Sequence, residues 1–96
     1  MELLEVTNLR MIDRNVAAGE AIFVIDGREH RGELLFYLQS DYCVGIRANR
    51  CGPDLKLEQI EEYIINNKSS LKRFINPQVQ KLRQEQREAI AKLYED

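Results

Sequence analysis

The amino-acid sequence predicts an α+β fold: an antiparallel meander of three or more strands followed by two or three C-terminal helices. Three observations predict it. Asp26-Gly27 sits between apolar, β-rich runs, and Asp-Gly tolerates the positive φ angles of a two-residue hairpin turn. Leu57, Ile60 and Ile64 recur at helical spacing. The segment from Pro77 to about Tyr94 carries an apolar 3-4-3-4 stripe. The 96 residues fit one domain, with the sheet part in 1–48 and the helical part in 55–95. With 44% hydrophobic and 31% charged residues, the composition is that of a folded globular chain and excludes a disordered one.

From Met1 to Glu20 the pattern is weakest. Leu4, Val6, Leu9 and Met11 alternate as in strands, although Leu4, Val6 and Met11 also fit one face of a helix. The strand reading is preferred. Asn15 to Glu20 reads as a connection, because Gly19 and small residues interrupt the pattern. Ala21 to Ile25 is a strand, and a second strand runs from Arg28 towards Leu38 with Gly32 as a candidate bulge. Ser40-Asp41 makes the next turn, and Tyr42 to Ala48 forms a further strand. Setting Gln39 against Tyr42 brings Tyr37 to Val44 and Leu35 to Ile46. The other face then holds Leu34, Phe36, Leu38 and Cys43, with Arg47 near its end. Both faces are apolar near this turn, so both need covering.

Asn49 to Asp54 is a loop by composition, and Asp54 is placed to cap a helix from Leu55 to Asn67. Ser69 or Ser70 can cap a short piece holding Leu71, Phe74 and Ile75. Asn76-Pro77 marks a new start, with Asn76 as cap and Pro77 in the first helical position.

Catalytic chemistry finds little to stand on. His30, opposite Phe23 and flanked by Arg28 and Arg31, is the one histidine, and there is no Cys-x-x-Cys pair, so no metal or cofactor site is expected. Cys43 and Cys51 are expected to be free thiols, Cys43 as a small core residue. Glu58, Glu61 and Glu62 read as a solvated helix face. Neither a phosphate-binding glycine loop nor a nucleophile motif is present. No apolar run reaches the roughly 18–20 residues of a membrane span. The acidic start MELLEVTNLR lacks signal-peptide character, so a cytoplasmic location is expected.

Two surfaces remain. Met1 to Ile65 carries 7 Lys/Arg and 12 Asp/Glu, a balance of −5, while Asn66 to Asp96 carries 7 and 4, a balance of +3. Within the basic part, Lys68, Lys72, Arg73, Lys81, Arg83 and Arg87 face a single acid, Glu85, and such a patch can hold phosphate backbones. No aromatic stacking series accompanies it. The second surface is the striped helix, where Val79, Leu82, Gln86, Ala89 and Leu93 form the seam and Ile90 widens it. This seam can dock on its own sheet or on a second copy. The leading expectation is therefore a small non-enzymatic interaction or regulatory module, a homodimer or a binder of another protein. The alternative is a nucleic-acid-binding protein using residues 68–87.

Overall fold

A computed structural model describes residues 1–94. It shows the predicted α+β architecture, with four strands in the meander. These are β1 (Glu2–Asp13), β2 (Val16–Ile25), β3 (Arg28–Gln39) and β4 (Tyr42–Cys51), in sheet order β1-β2-β3-β4, followed by α1 (Leu57–Asn66) and α2 (Lys68–Leu93). All three hairpins close through two-residue turns, since Asp13 pairs with Val16, Ile25 with Arg28 and Gln39 with Tyr42. At the central turn Asp26 and Gly27 have φ of 50° and 77°, the left-handed pair that a type I′ turn needs. Ser40 enters the last turn at φ 55°.

The N-terminal segment is a strand, but not a regular one. Its register against β2 shifts between Leu3 and Glu5, between Thr7 and Arg10, and between Met11 and Asp13. These bulges turn Leu4 and Ile12 outward, and Asn8 takes φ 52°. Val6 is buried, and Leu3, Leu9 and Met11 pack on the core.

Several expectations are corrected here. Asn15 to Glu20 is not a connection: only Arg14-Asn15 turns, and Val16 to Glu20 belong to β2. Its small residues leave room for neighbours. A Cβ on Gly19 would stand 2.6 Å from Val6 Cγ1 and 3.4 Å from Phe36 Cε2. Gly32 is not a bulge, since β2 and β3 pair without a shift. The irregularities lie between β3 and β4, where Asn49 is passed over between Arg50 and Ala48, and Val44 between Gly45 and Cys43. That second bulge overturns the expected register beyond Cys43. Tyr37 meets Gly45, Phe36 meets Ile46, and Leu35 meets Arg47. Ile46 thereby joins Leu34, Phe36, Leu38 and Cys43 in the core, and Arg47 leaves that face.

What Gly32 supplies is space. A Cβ there would meet the Arg50 carbonyl oxygen at 2.8 Å and Ile60 Cδ1 at 3.5 Å. The first neighbour is backbone and cannot swing aside. Gly32→Ala is expected to lower stability by about 1 kcal/mol through this overpacking, measured by urea unfolding. An unchanged midpoint would mean that the strands can spread at this point.

The helical part is also corrected. β4 runs on to Cys51, so the loop begins at Gly52. Lys56, not Asp54, is the N-cap of α1, and its N–H donates to Gln59 Oε1 at 2.9 Å. After Asn67 a single 26-residue helix follows, about 39 Å long at 1.5 Å per residue. Ser69, Ser70 and Asn76 lie inside it and cap nothing, and Pro77 is internal. Leu71, Ile75 and Val79 are all buried, one turn apart on each side of the proline. Their common docking on the sheet outweighs the backbone hydrogen bond that Pro77 cannot donate. Asn76 Oδ1 turns instead to the sheet and accepts the Cys43 N–H at 2.9 Å.

The core is one layer between the sheet and the two helices. Ala17, Ala21, Phe23, Leu34, Phe36, Ile60, Ile64, Ile75 and Val79 are its best-buried members. Tyr63 ties α1 to the far edge: its ring meets Phe23 edge-on at 6.1 Å, and its hydroxyl accepts the Leu3 N–H at 3.1 Å. α1 and α2 both pack on the same face, so among the described residues neither helix covers the second. The second face carries Leu35, half-buried Val16, and Tyr37, which lies over Gly45.

Candidate functional site

The striped helix divides into two parts. Val79 is fully buried on the sheet and Leu82 packs on the same core. Gln86 is half-buried and its Oε1 accepts from Arg83 at 3.3 Å. Beyond it the stripe is exposed: Ala89 is exposed, Ile90, beside the Arg14 and Ser40-Asp41 turns, is 56% exposed, and Leu93 and Tyr94 are 81% and 84% exposed. The predicted seam is thus core at one end and bare at the other.

The six cations of the basic segment do not form one patch. Arg83 clamps two turns, donating to the Arg14 carbonyl at 3.2 Å, Asn15 Oδ1 at 3.2 Å and the Ser40 carbonyl at 3.1 Å. Arg87 pairs with Asp41 in the last hairpin turn. Arg73 donates to the Ser69 carbonyl of its own helix, and Lys81 is exposed. Lys68 and Lys72 sit elsewhere, on a groove between β4 and the helices.

That groove was not visible in the sequence, because its wall comes from four elements, β3, β4, α1 and α2. It encloses about 640 Å³ and is lined by Tyr37, Val44, Ile46, Ile64, Ile65 and Arg47, with Lys68 and Lys72. Val44 is 49% and Ile65 63% exposed. Glu61 closes one end. Its Oε1 accepts the Ala48 N–H at 3.0 Å and Arg47 Nε at 3.1 Å. Asn76 Oδ1 accepts the Cys43 N–H at the other end. Ile46 lies between, two residues before Ala48 in an unshifted stretch of the ladder. By the alternation of an antiparallel pair, its N–H and C=O turn to the same free side as the Ala48 N–H.

A second unforeseen cluster lies on the uncovered sheet face. Glu33 is 6% exposed there. Its carboxylate accepts from Asn49 Nδ2 at 2.7 Å, Arg50 at 2.7 Å and Arg10 at 3.0 Å. The Asn49 hydrogen bond leads, with Arg50 and Arg10 adding to it against the opposing effect of burial, and together they hold its pKa at about 2. A lone acid between Gly32 and Leu34, inside an apolar strand, was the sequence signal for it.

His30 pairs with Phe23, as expected, and is half-buried. Cys43 and Cys51 are free and stand at opposite ends of β4, eight residues or roughly 26 Å apart at strand rise. No disulfide can join them within the chain. Burial pushes the Cys43 thiol up in pKa, against the Gly45 carbonyl and Lys72, which makes it a poor nucleophile. The Cys51 thiol donates to the Leu55 carbonyl at 2.8 Å rather than to His30. Glu58 and Glu62 are exposed, while Glu61 is the groove residue described above. Among the described residues no three His, Cys, Asp or Glu side chains gather as metal ligands would. No helix among them is long and apolar enough to cross a membrane.

Fold and surfaces together define a small α+β protein, an antiparallel meander backed on one face by two helices. Comparison with protein-family models, with curated proteins and with solved structures finds no match for the chain.

Proposed function

We propose that the protein is a small non-enzymatic interaction module that self-associates through the projecting end of α2. One observation carries this reading: the helix continues past its last core contacts and presents Ile90, Leu93 and Tyr94 to solvent. An isolated helical end with this much bare apolar surface gains free energy when a partner covers it. A second copy brings the same surface, which is how most homodimers are built. The expected regulatory role would follow from reversible pairing of this kind.

The test is molar mass by light scattering on the wild type and on Ile90→Glu/Leu93→Glu. Leu82 is unsuitable for substitution because it packs on the core. A wild-type dimer and a monomeric, folded double variant are expected. A monomeric wild type at high concentration, or a double variant that still assembles, would overturn the reading. Adding a mixed oligonucleotide pool at low salt extends the test. A rise in mass with the pool would replace this reading with phosphate-backbone binding through residues 68–87.

A further inference from the structure

We infer that the groove along β4 receives, from a second copy of this chain, the last residues of α2 and those that follow them in the sequence, Leu93-Tyr94-Glu95-Asp96, so that two molecules exchange these segments around a two-fold axis. The inference rests on the self-association proposed above and names the surface that accepts the helix.

Three observations point to this occupant. The groove is apolar along its floor, with Val44, Ile46, Ile64 and Ile65, and basic at its rim, with Lys68 and Lys72. Among the described residues neither lysine has an ion-pair partner, whereas Arg47 is paired with Glu61. The end of α2 has the matching order: exposed Leu93 and Tyr94 are followed in the sequence by two acids, Glu95 and Asp96. Apolar surface would meet apolar surface, and two carboxylates would meet two ammonium groups. Ile46 adds a backbone edge, with its N–H free to donate to a carbonyl or carboxylate of the incoming segment.

The partner must be another molecule. Lys72 and Leu93 lie on one helix, 21 residues or about 32 Å apart, so no chain can reach its own groove with its own helix end. Two antiparallel α2 helices bring each end to the other's groove. Both grooves fill at once, and the assembly closes as a dimer rather than a filament.

A charge exchange tests this. The first variant carries Lys68→Glu and Lys72→Glu, and the second carries Glu95→Lys and Asp96→Lys. Each alone sets like charges against each other in both sites of its homodimer. In the mixed dimer both sites are complementary again: the acidic groove meets the basic end, and the basic groove meets the acidic end. Sedimentation equilibrium is expected to show each variant weakened by at least about tenfold in self-association, and the equimolar mixture restored. Circular dichroism confirms that both variants are folded. If each variant dimerises as tightly as the wild type while Ile90→Glu/Leu93→Glu is monomeric, the helix ends pair by another surface and this inference falls. The self-association reading would survive that result. If the wild type is itself monomeric, both fall. If each variant is weakened and the mixture is not restored, the two surfaces do not meet, and the inference falls as well.

Discussion

Phe36→Ala is expected to lower the unfolding free energy by about 3–5 kcal/mol, whereas Tyr37→Ala, the next residue, is expected to lose only about 1 kcal/mol. Phe36 is 1% exposed, between Ala17 on β2 and Ile46 on β4. Its ring stands against Gly19, where a Cβ would come within 3.4 Å. Those small neighbours make room for the ring and cannot fill the space it leaves, so the cavity persists. That favours the upper part of the range. Tyr37 points to the uncovered face, 39% exposed, and lies over Gly45. Total stability in domains of this kind is about 5–15 kcal/mol, so Phe36→Ala removes a large share of it. Each 1 kcal/mol shifts the midpoint by about 4–8 °C at this size, which makes the contrast easy to read by thermal melting. Equal losses at the two positions would mean that both sheet faces are covered, as the sequence pattern alone suggested.

That comparison shows where the sequence was legible. Turns that need left-handed φ angles announce themselves, and Asp26-Gly27 and Ser40-Asp41 lie where they were expected. The spacing of Leu57, Ile60 and Ile64 marked α1, although Leu57 stays exposed. The bulges at Val44 and Asn49 were not legible, because no residue type demands a bulge there. One skipped residue moved Ile46 into the core and Arg47 out of it. Val16 to Glu20 looked like a connection because Ala17, Ala18 and Gly19 are small, yet at Gly19 the small size answers to Val6 and Phe36, which crowd it across the sheet. Asn76-Pro77 carries a strong local start signal, and tertiary packing overrode it. The four-residue spacing of Leu71, Ile75 and Val79 across the proline was the competing signal, and it reports the sheet rather than the local chain. The exposed end of α2 was half legible. Its apolar stripe could be read, but the point at which the sheet stops covering it could not, since that depends on how far β3 and β4 extend. The groove joins β3, β4, α1 and α2 and had no local pattern to reveal it.

Acid is expected to remove a specific part of the stability, the part that Glu33 supplies. The folded-state pKa of about 2 lies below the ordinary 4.5. Between those values the unfolded chain binds more protons at this site than the folded one, so stability rises with pH across that window. The contribution is complete above about pH 4.5 and is lost as pH falls towards about 2. A shift of this size corresponds to at most about 3 kcal/mol. The Arg10 and Arg50 side chains are 42% and 70% exposed, and solvent screening reduces the expected value to about 2 kcal/mol. Urea unfolding from pH 2 to 7 on the wild type and Glu33→Gln checks it. The variant is expected to be less stable by about 2 kcal/mol at neutral pH, with the two curves converging near pH 2. Subtracting one from the other removes the other carboxylates, which titrate in both. Parallel curves would show that Glu33 holds nothing. High salt is expected to shrink the difference only in part, because the leading partner, Asn49, is neutral and its hydrogen bond is not screened. The geometry says why this one carboxylate matters. Arg10 comes from β1, Asn49 and Arg50 from β4, and Glu33 from β3. On the face that no helix covers, Glu33 is the group that ties both edge strands to the middle of the sheet.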